Sequence, residues 1–447
     1  MKRRDEFPYR YALLLLSSLM VTPALAQTVS DSVQNLSGAG TVFGAVTHTR
    51  MDTDTGTESN TKPSLGVSGD IGGDLRRGAN SLALRYGGTL ETERDLPNGE
   101  QTSSNAINGA ARYDYFNPGG VLDMNLGHTI ESVRNDTGYV LNSTDYDTRN
   151  TLTAGAGVRF YPGELTSFRV SAQAGKSFAS DDLDDSESLT TEAILSRRLS
   201  ERSEGSLTAR RSWADEKRLD TTIDTAELGY ARGLETGTFK VSVGGSWSET
   251  EFPDQRSTQD SDAMTGYIER IWLAPDSSTT VRYNRELSDS ATELSLNLPP
   301  ELAFLPDSVL LRDLVVRDSL LLAHSTDRLC GVCTFSVLAE GARLESQLND
   351  ATTHEYRTSV RLAMDLDRLH QLLVSWNWQA DAGEDSSDLT AHTHILDIAL
   401  SRRLTENVRF GGGLNLGWVR DDIEDRDQED YGLRVFLTRD FNLMARR

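Results

Sequence analysis

Apolar residues recur at every second position along almost the whole of this chain, and that period fixes what it can fold into. From Gly40 to Leu443 no capped segment with a period of 3.6 residues emerges. The clearest alternation is Val408 to Trp418. Val408, Phe410, Gly412, Leu414, Leu416 and Trp418 share one face, and Arg409, Gly411, Gly413, Asn415 and Gly417 share the other. Successive side chains of a strand point to opposite faces, so this is a strand with one greasy and one wet side. Segments 239–247, 356–366, 122–127 and 152–160 alternate in the same way. Among 447 residues, 37% are hydrophobic, and no run reaches the roughly 18 apolar residues that a membrane-spanning helix needs. With 68 acidic against 45 basic residues the net charge is −23, which leaves no cationic surface to neutralise phosphates and excludes nucleic acid as a partner.

The connections alternate too. Short turns fall near Arg77-Gly78, Asn117 to Gly120, Pro162-Gly163, Ser200-Glu201, Leu234-Glu235, Pro275-Asp276, Cys330-Gly331, Arg368-Leu369 and Glu406-Asn407. Longer polar segments lie between them, at 51–63, 92–105, 135–149, 179–187, 214–219, 251–260, 288–312, 345–355, 381–390 and 421–430. The count implies about 20 strands, within a range of about 16–22, and an even number leaves both termini on one side. Leu195-Ser196-Arg197-Arg198-Leu199-Ser200-Glu201 is echoed by Leu400-Ser401-Arg402-Arg403-Leu404-Thr405-Glu406, each followed by a strand that rises to a Trp and an acidic segment. One up-and-down hairpin is being repeated.

The amino terminus gives the compartment. Lys2, Arg3 and Arg4 precede an apolar stretch from Tyr11 to Val21, and Ala24-Leu25-Ala26 supplies a small-x-small cleavage site. This is a secretory signal peptide over 1–26, so the mature chain begins near Gln27 in an oxidising space. There the only cysteines, Cys330 and Cys333, are expected to form a small disulfide across a turn, because no further ligands of zinc spacing accompany them.

A soluble sandwich would also alternate. Three features favour a transmembrane antiparallel up-and-down β-barrel over residues 40–443, after a short segment at 27–39 and with a tail at 444–447. Strands of about 9–11 residues cross a bilayer when tilted. Short turns on one side and long acidic loops on the other fit a barrel in an asymmetric membrane. Aromatic residues gather at strand ends, with Trp213, Trp247, Trp376, Trp378 and Trp418 before long segments and Tyr161 and Trp272 beside short turns. Two aromatic belts are what the two membrane interfaces select. On the polar parity, Arg85, Arg112, Asp114, Asp123, Arg159, Arg282, Glu286, Arg357, Arg361, Asp365 and Arg409 are candidates to line the lumen.

Taken together these residues resemble a Gram-negative outer-membrane β-barrel protein of porin-like architecture. Tyr431, Leu433, Val435, Leu437 and Phe441 look like the closing strand that such proteins present to the barrel-insertion machinery, although Arg439 interrupts the apolar face and six residues follow Phe441. The resemblance implies outer-membrane lipid and lipopolysaccharide as surroundings, short turns on the periplasmic side and long loops outside. A fainter likeness, carried by the acidic loops and arginine-ended hairpins, is to large barrels that accompany exopolysaccharide or surface-protein export, which adds an export-system partner to the expectations.

No catalytic constellation stands out. A Gly-x-Ser-x-Gly elbow is missing, and His392 and His394, with Asp388 and Asp397 near them in sequence, read as interfacial polar residues. In Asp52-Thr53-Asp54-Thr55-Gly56 the twelfth position of a calcium loop would be Pro63, so the acidic segments read as solvated charge and no metal or other cofactor is expected. Segment 288–312 is apolar and proline-rich, with Leu296, Leu298, Pro299, Pro300, Leu302, Phe304 and Pro306, suited to folding into the lumen or meeting a partner. The expected function is a passive or partner-gated diffusion channel with mild cation preference. A non-conducting export-accessory barrel is the alternative, and an outer-membrane hydrolase the remoter one.

Overall fold

In the computed structural model the alternation becomes twenty antiparallel strands, each hydrogen-bonded to its neighbours in sequence. The structure describes residues 33–53, 56–96, 99, 101–117, 120–134, 146–179, 185–216, 219–252, 257–288, 314–347, 351–383, 389–422 and 426–444. The signal peptide and nearly all of segment 288–312 lie outside these. The strands are β1 (Val33–Thr53), β2 (Gly56–Arg77), β3 (Asn80–Arg94), β4 (Gln101–Phe116), β5 (Leu122–Arg134), β6 (Tyr146–Gly163), β7 (Thr166–Ala179), β8 (Ser186–Ser200), β9 (Ser203–Glu216) and β10 (Leu219–Leu234). They continue as β11 (Gly237–Phe252), β12 (Ser257–Ala274), β13 (Ser277–Ser288), β14 (Val315–Cys330), β15 (Cys333–Ser346), β16 (Thr352–Asp365), β17 (His370–Gly383), β18 (Ala391–Thr405), β19 (Val408–Asp421) and β20 (Arg426–Met444).

The sheet closes on itself. Strand β1 pairs with β20 from Ser37 opposite Asn442 to Thr53 opposite Arg426, so neither terminal strand is left as an open edge. Pairing of backbone groups around the circle is the condition for crossing lipid without helices.

Strands are longer than the sequence expectation. They run from 12 residues in β13 to 22 in β2. Much of what reads as polar loop is ladder: in 51–63, Met51 pairs with Glu58, Asp52 with Thr57 and Thr53 with Gly56, and only residues 217–218 separate β9 from β10. The physical reason is that Thr, Ser and Asp are compatible with strands once a hairpin register is set. At these strand ends the ladder continues between polar side chains, as in the ion pair of Arg50 with Asp52 at 3.1 Å. Gly56 begins β2 at φ 138°, a conformation that other residues rarely adopt.

The strand registers also fix the size. Carried once around all twenty pairings they return to β1 displaced by about 26 residues, which for strands rising about 3.3 Å per residue and about 4.8 Å apart sets a tilt of about 40° and a backbone diameter of about 40 Å. Wall side chains are too short to fill that width.

Candidate functional site

Directly opposed residues in an antiparallel ladder share a face, so the registers sort the wall into two sides. One side carries Val42, Leu437 and Phe410 in one row and Leu433 and Leu414 in another, with neighbours such as Val67 and Leu90, most of them about half exposed. That is the outer face. The other side carries most of the charged and small polar residues, with apolar clusters at β14–β15, and it faces the lumen. A closed barrel with such an outer belt is a transmembrane β-barrel of the outer-membrane type.

Arg85, Arg112, Asp114, Asp123, Arg159, Arg282, Glu286, Arg357, Arg361, Asp365 and Arg409 all fall on the inner parity. Most of the ionic contacts on this wall are local. Asp123 accepts Arg169 at 2.8 Å and stands 3.8 Å from Arg159, while Arg112 meets Asp114 at 3.0 Å and Arg409 meets Asp440 at 2.7 Å. Glu269, 2% exposed, is held by Lys240 at 3.0 Å and by Arg282 from the next strand. Arg317 and Glu340, both buried, pair at 2.7 Å. Arg434 lies over the Phe43 ring at 3.9 Å, and that ring in turn occupies the space above Gly66, where an added Cβ would come within 2.2 Å of it. Lys240, Glu269, Arg317, Glu340 and Arg434 were missed by reading the sequence. Lys240 alternates with apolar residues and is recoverable from parity, but Glu269 sits in Tyr267-Ile268-Glu269-Arg270-Ile271-Trp272, where both parities carry apolar side chains.

The outer face carries the large aromatics. Trp376, Trp378 and Trp418 share it with Val374, and His394 stacks against Trp376 with ring centroids 6.0 Å apart. His392 is on this face as well, whereas Asp397 is on the lumen side and bonded to Asn415, so these groups do not converge. Asp388 lies outside the described residues. Trp213, Trp247 and Trp272 face outward, Trp213 beneath Arg211 and Trp272 beneath Arg270, at 5.2 Å and 5.0 Å from ring centroid to guanidinium. Tyr161 sits exposed at the β6–β7 turn, where the outward ring is Phe160, stacked on Phe168. On β20, Tyr431, Leu433, Val435, Leu437 and Phe441 share the outer face with Arg439, whose guanidinium lies 5.4 Å from the Phe441 ring centre. Cys330 and Cys333 are bonded across the β14–β15 turn, with Cα atoms 5.3 Å apart.

One corner of the wall folds inward. The β11–β12 ladder runs the length of β12, but β12 pairs with β13 only from Gly266 opposite Arg285 to Ala274 opposite Ser277. Above Gly266 the two strands part. Leu287 and Val316 have the outer parity of β13 and β14, yet with Leu314 they form one buried apolar cluster with Ile223, and Ala263 packs against it. Ile223 and Ala263 belong to the lumen side of β10 and β12. The outer face of the β13–β14 ends therefore lies against the inner face of their neighbours, and the wall overlaps itself. Gln347, just past β15, secures the overlap: its carbonyl accepts Gln259 Nε2 at 2.5 Å and its side-chain oxygen accepts Ser261 Oγ at 2.6 Å.

Solved structures with a similar course of chain include a variant of the ferric enterobactin receptor from Pseudomonas aeruginosa (10% identity, 91% of this chain and 80% of that one, TM-score 0.49). The FrpB iron transporter from Neisseria meningitidis is similar at 10% identity over 93% of this chain and 84% of that one, TM-score 0.44. OccK5 from Pseudomonas aeruginosa is similar at 11% identity over 90% of this chain and 98% of that one, TM-score 0.34. No protein-family model matches the chain, and neither does any curated protein sequence.

Proposed function

We propose that this chain is an outer-membrane diffusion channel, passive or gated by a partner, with a mild preference for cations. The observation that carries this reading is the combination of a closed wall about 40 Å across with a lumen side whose arginines are largely matched to carboxylates on the wall itself. Arg282 is spent on Glu269, Arg317 on Glu340, and Arg159 and Arg169 on Asp123, so the wall arginines attract little anion. The net charge of −23 then governs the field at the mouth and concentrates cations there. Outer-membrane lipid and lipopolysaccharide surround the belt, and β20 is the strand offered to the insertion machinery.

Purified protein in planar bilayers is expected to conduct, with a reversal potential of cation-selective sign under a KCl gradient. An anion-selective sign overturns the electrostatic argument. The infolded β13–β15 corner, which narrows the lumen from one side, favours a second reading: a barrel closed on its own and opened by an export-system partner. Silence in the bilayer would support that second reading and exclude the passive channel.

A further inference from the structure

The overlap of the wall at β12 and β13 has a consequence that a simple diffusion channel does not need. A ladder that stops partway up a transmembrane wall leaves a seam between lipid and lumen, and the character of the seam is set by what lines it. On the outer side stands Met264, more than half exposed. On the inner side is the buried cluster of Ile223, Leu287, Leu314 and Val316. The inner end of the seam is thus lined by apolar side chains, above the Arg285–Asp318 pair.

The seam is built to stay unzipped. Gly266, where pairing with β13 ends, has φ 151°, and a Cβ there would stand 2.4 Å from the Ser242 carbonyl oxygen, so the departure of the strand is tied to this glycine. Arg285, opposite Gly266, donates from Nε to the Met264 carbonyl at 3.0 Å, occupying an acceptor just beyond the last ladder pair. Its guanidinium is held by Asp318 at 2.7 Å, and the other oxygen of Asp318 accepts the Tyr283 hydroxyl at 2.7 Å. Arg285, Asp318 and Tyr283 are on the outer parity. A charged pair on a lipid-facing wall is costly to maintain, and here it fixes the floor of the seam. Above it, contacts across the seam are side-chain bonds and apolar packing, both easier to separate than a continuous backbone ladder.

We propose that the β12–β13 seam is a lateral portal, through which the acyl chain of a membrane amphiphile passes from the surrounding leaflet to the lumen side of the wall. The occupant is an acyl chain because the seam meets the lipid phase at the exposed Met264 and leads to the apolar cluster around Ile223. The proposal is independent of the ion selectivity of the lumen, since a barrel silent toward salt could still admit an acyl chain.

The test places a benzophenone amino acid at Ala263 or Ile223 on the lumen side of the seam, at outward Met264, and at inward Ser359 far from the seam. Each full-length variant is reconstituted in phosphatidylethanolamine vesicles containing palmitoyl-lysophosphatidylethanolamine, irradiated and weighed by mass spectrometry. Lipid adducts are expected at positions 264, 263 and 223 and only background at 359. Background yield at both 263 and 223 overturns the portal. In a second arm, Met264→Cys with Leu287→Cys, residues that a continued register would oppose, is oxidised to close the ladder. Adducts at 223 should then fall to the level at 359 while KCl conductance, measured in parallel, stays as in the reduced form. Undiminished adducts in the oxidised protein overturn the seam as the route.

Discussion

Val374 and Asn377 show how parity translates into energy. Both lie in β17, Val374 opposite outward Leu362 and Ile398, Asn377 on the lumen side where it accepts the Ser359 hydroxyl at 2.6 Å. Val374→Arg puts a charge into hydrocarbon and should destabilise by about 2–4 kcal/mol, whereas Asn377→Arg loses one hydrogen bond and should cost about 1 kcal/mol. Urea unfolding in lipid vesicles measures both, and equal costs would mean the faces are misassigned. Gly66 tests the inner wall in the same way. Because the Phe43 ring occupies the place of its Cβ, Gly66→Ala should cost about 1–3 kcal/mol through overpacking, and the additional change Phe43→Leu should recover part of it. Asp367, in the turn before β17, accepts the backbone N–H groups of Leu369 at 2.7 Å and His370 at 2.8 Å and the His370 ring nitrogen at 2.8 Å. Those donors, led by the Leu369 N–H, hold its carboxyl down at about 2. A folded-state value below the unfolded one means that its contribution is complete above about pH 4 and is lost as pH falls through about 2. Carbon-detected NMR of the Asp367 carboxyl checks the midpoint, and a midpoint near that of a free aspartate would show the turn to be open.

At the scale of elements, strands were legible and their ends were not. The nine short turns sit close to their expected places, most of them marked by Gly, Pro or Asn, but 51–63, a loop on sequence grounds, proves to be two paired strand ends. Polar residues such as Thr57 and Glu58 carry no local signal that separates a strand projecting into water from a loop; the pairing partner decides. The β12–β13 seam is likewise invisible locally, since Arg285 and Asp318 alternate like any other strand residues. The outward pair makes a sharp energetic prediction. Asp318→Ala strands the Arg285 guanidinium on the wall and should destabilise by about 2–3 kcal/mol, while Arg285→Met combined with Asp318→Leu should be less destabilised than Asp318→Ala alone, because apolar side chains there meet apolar surroundings. A double-mutant comparison by urea unfolding decides it, and equal losses would show that the pair acts through strand geometry rather than through charge.

For the whole molecule, the sequence by itself determined the architecture and the polarity of its faces. A period of two maintained over some four hundred residues, with no long apolar run, permits a large sheet and forbids helices, and alternating connection lengths make that sheet up-and-down. These are local regularities, carried by neighbours two positions apart, so they survive being read without a fold. Local patterns stop at the question of which strand lies beside which residue and at what height. The stagger that sets the width, the meeting of Lys240, Glu269 and Arg282 from three strands, and the ring of Phe43 above Gly66 all depend on register summed around a closed circle. So does the infolded corner, where residues of outer parity end up against an inner wall. Register is a cooperative property of paired strands, fixed by partners that stand far apart in sequence, and for that reason only the tertiary structure could decide it.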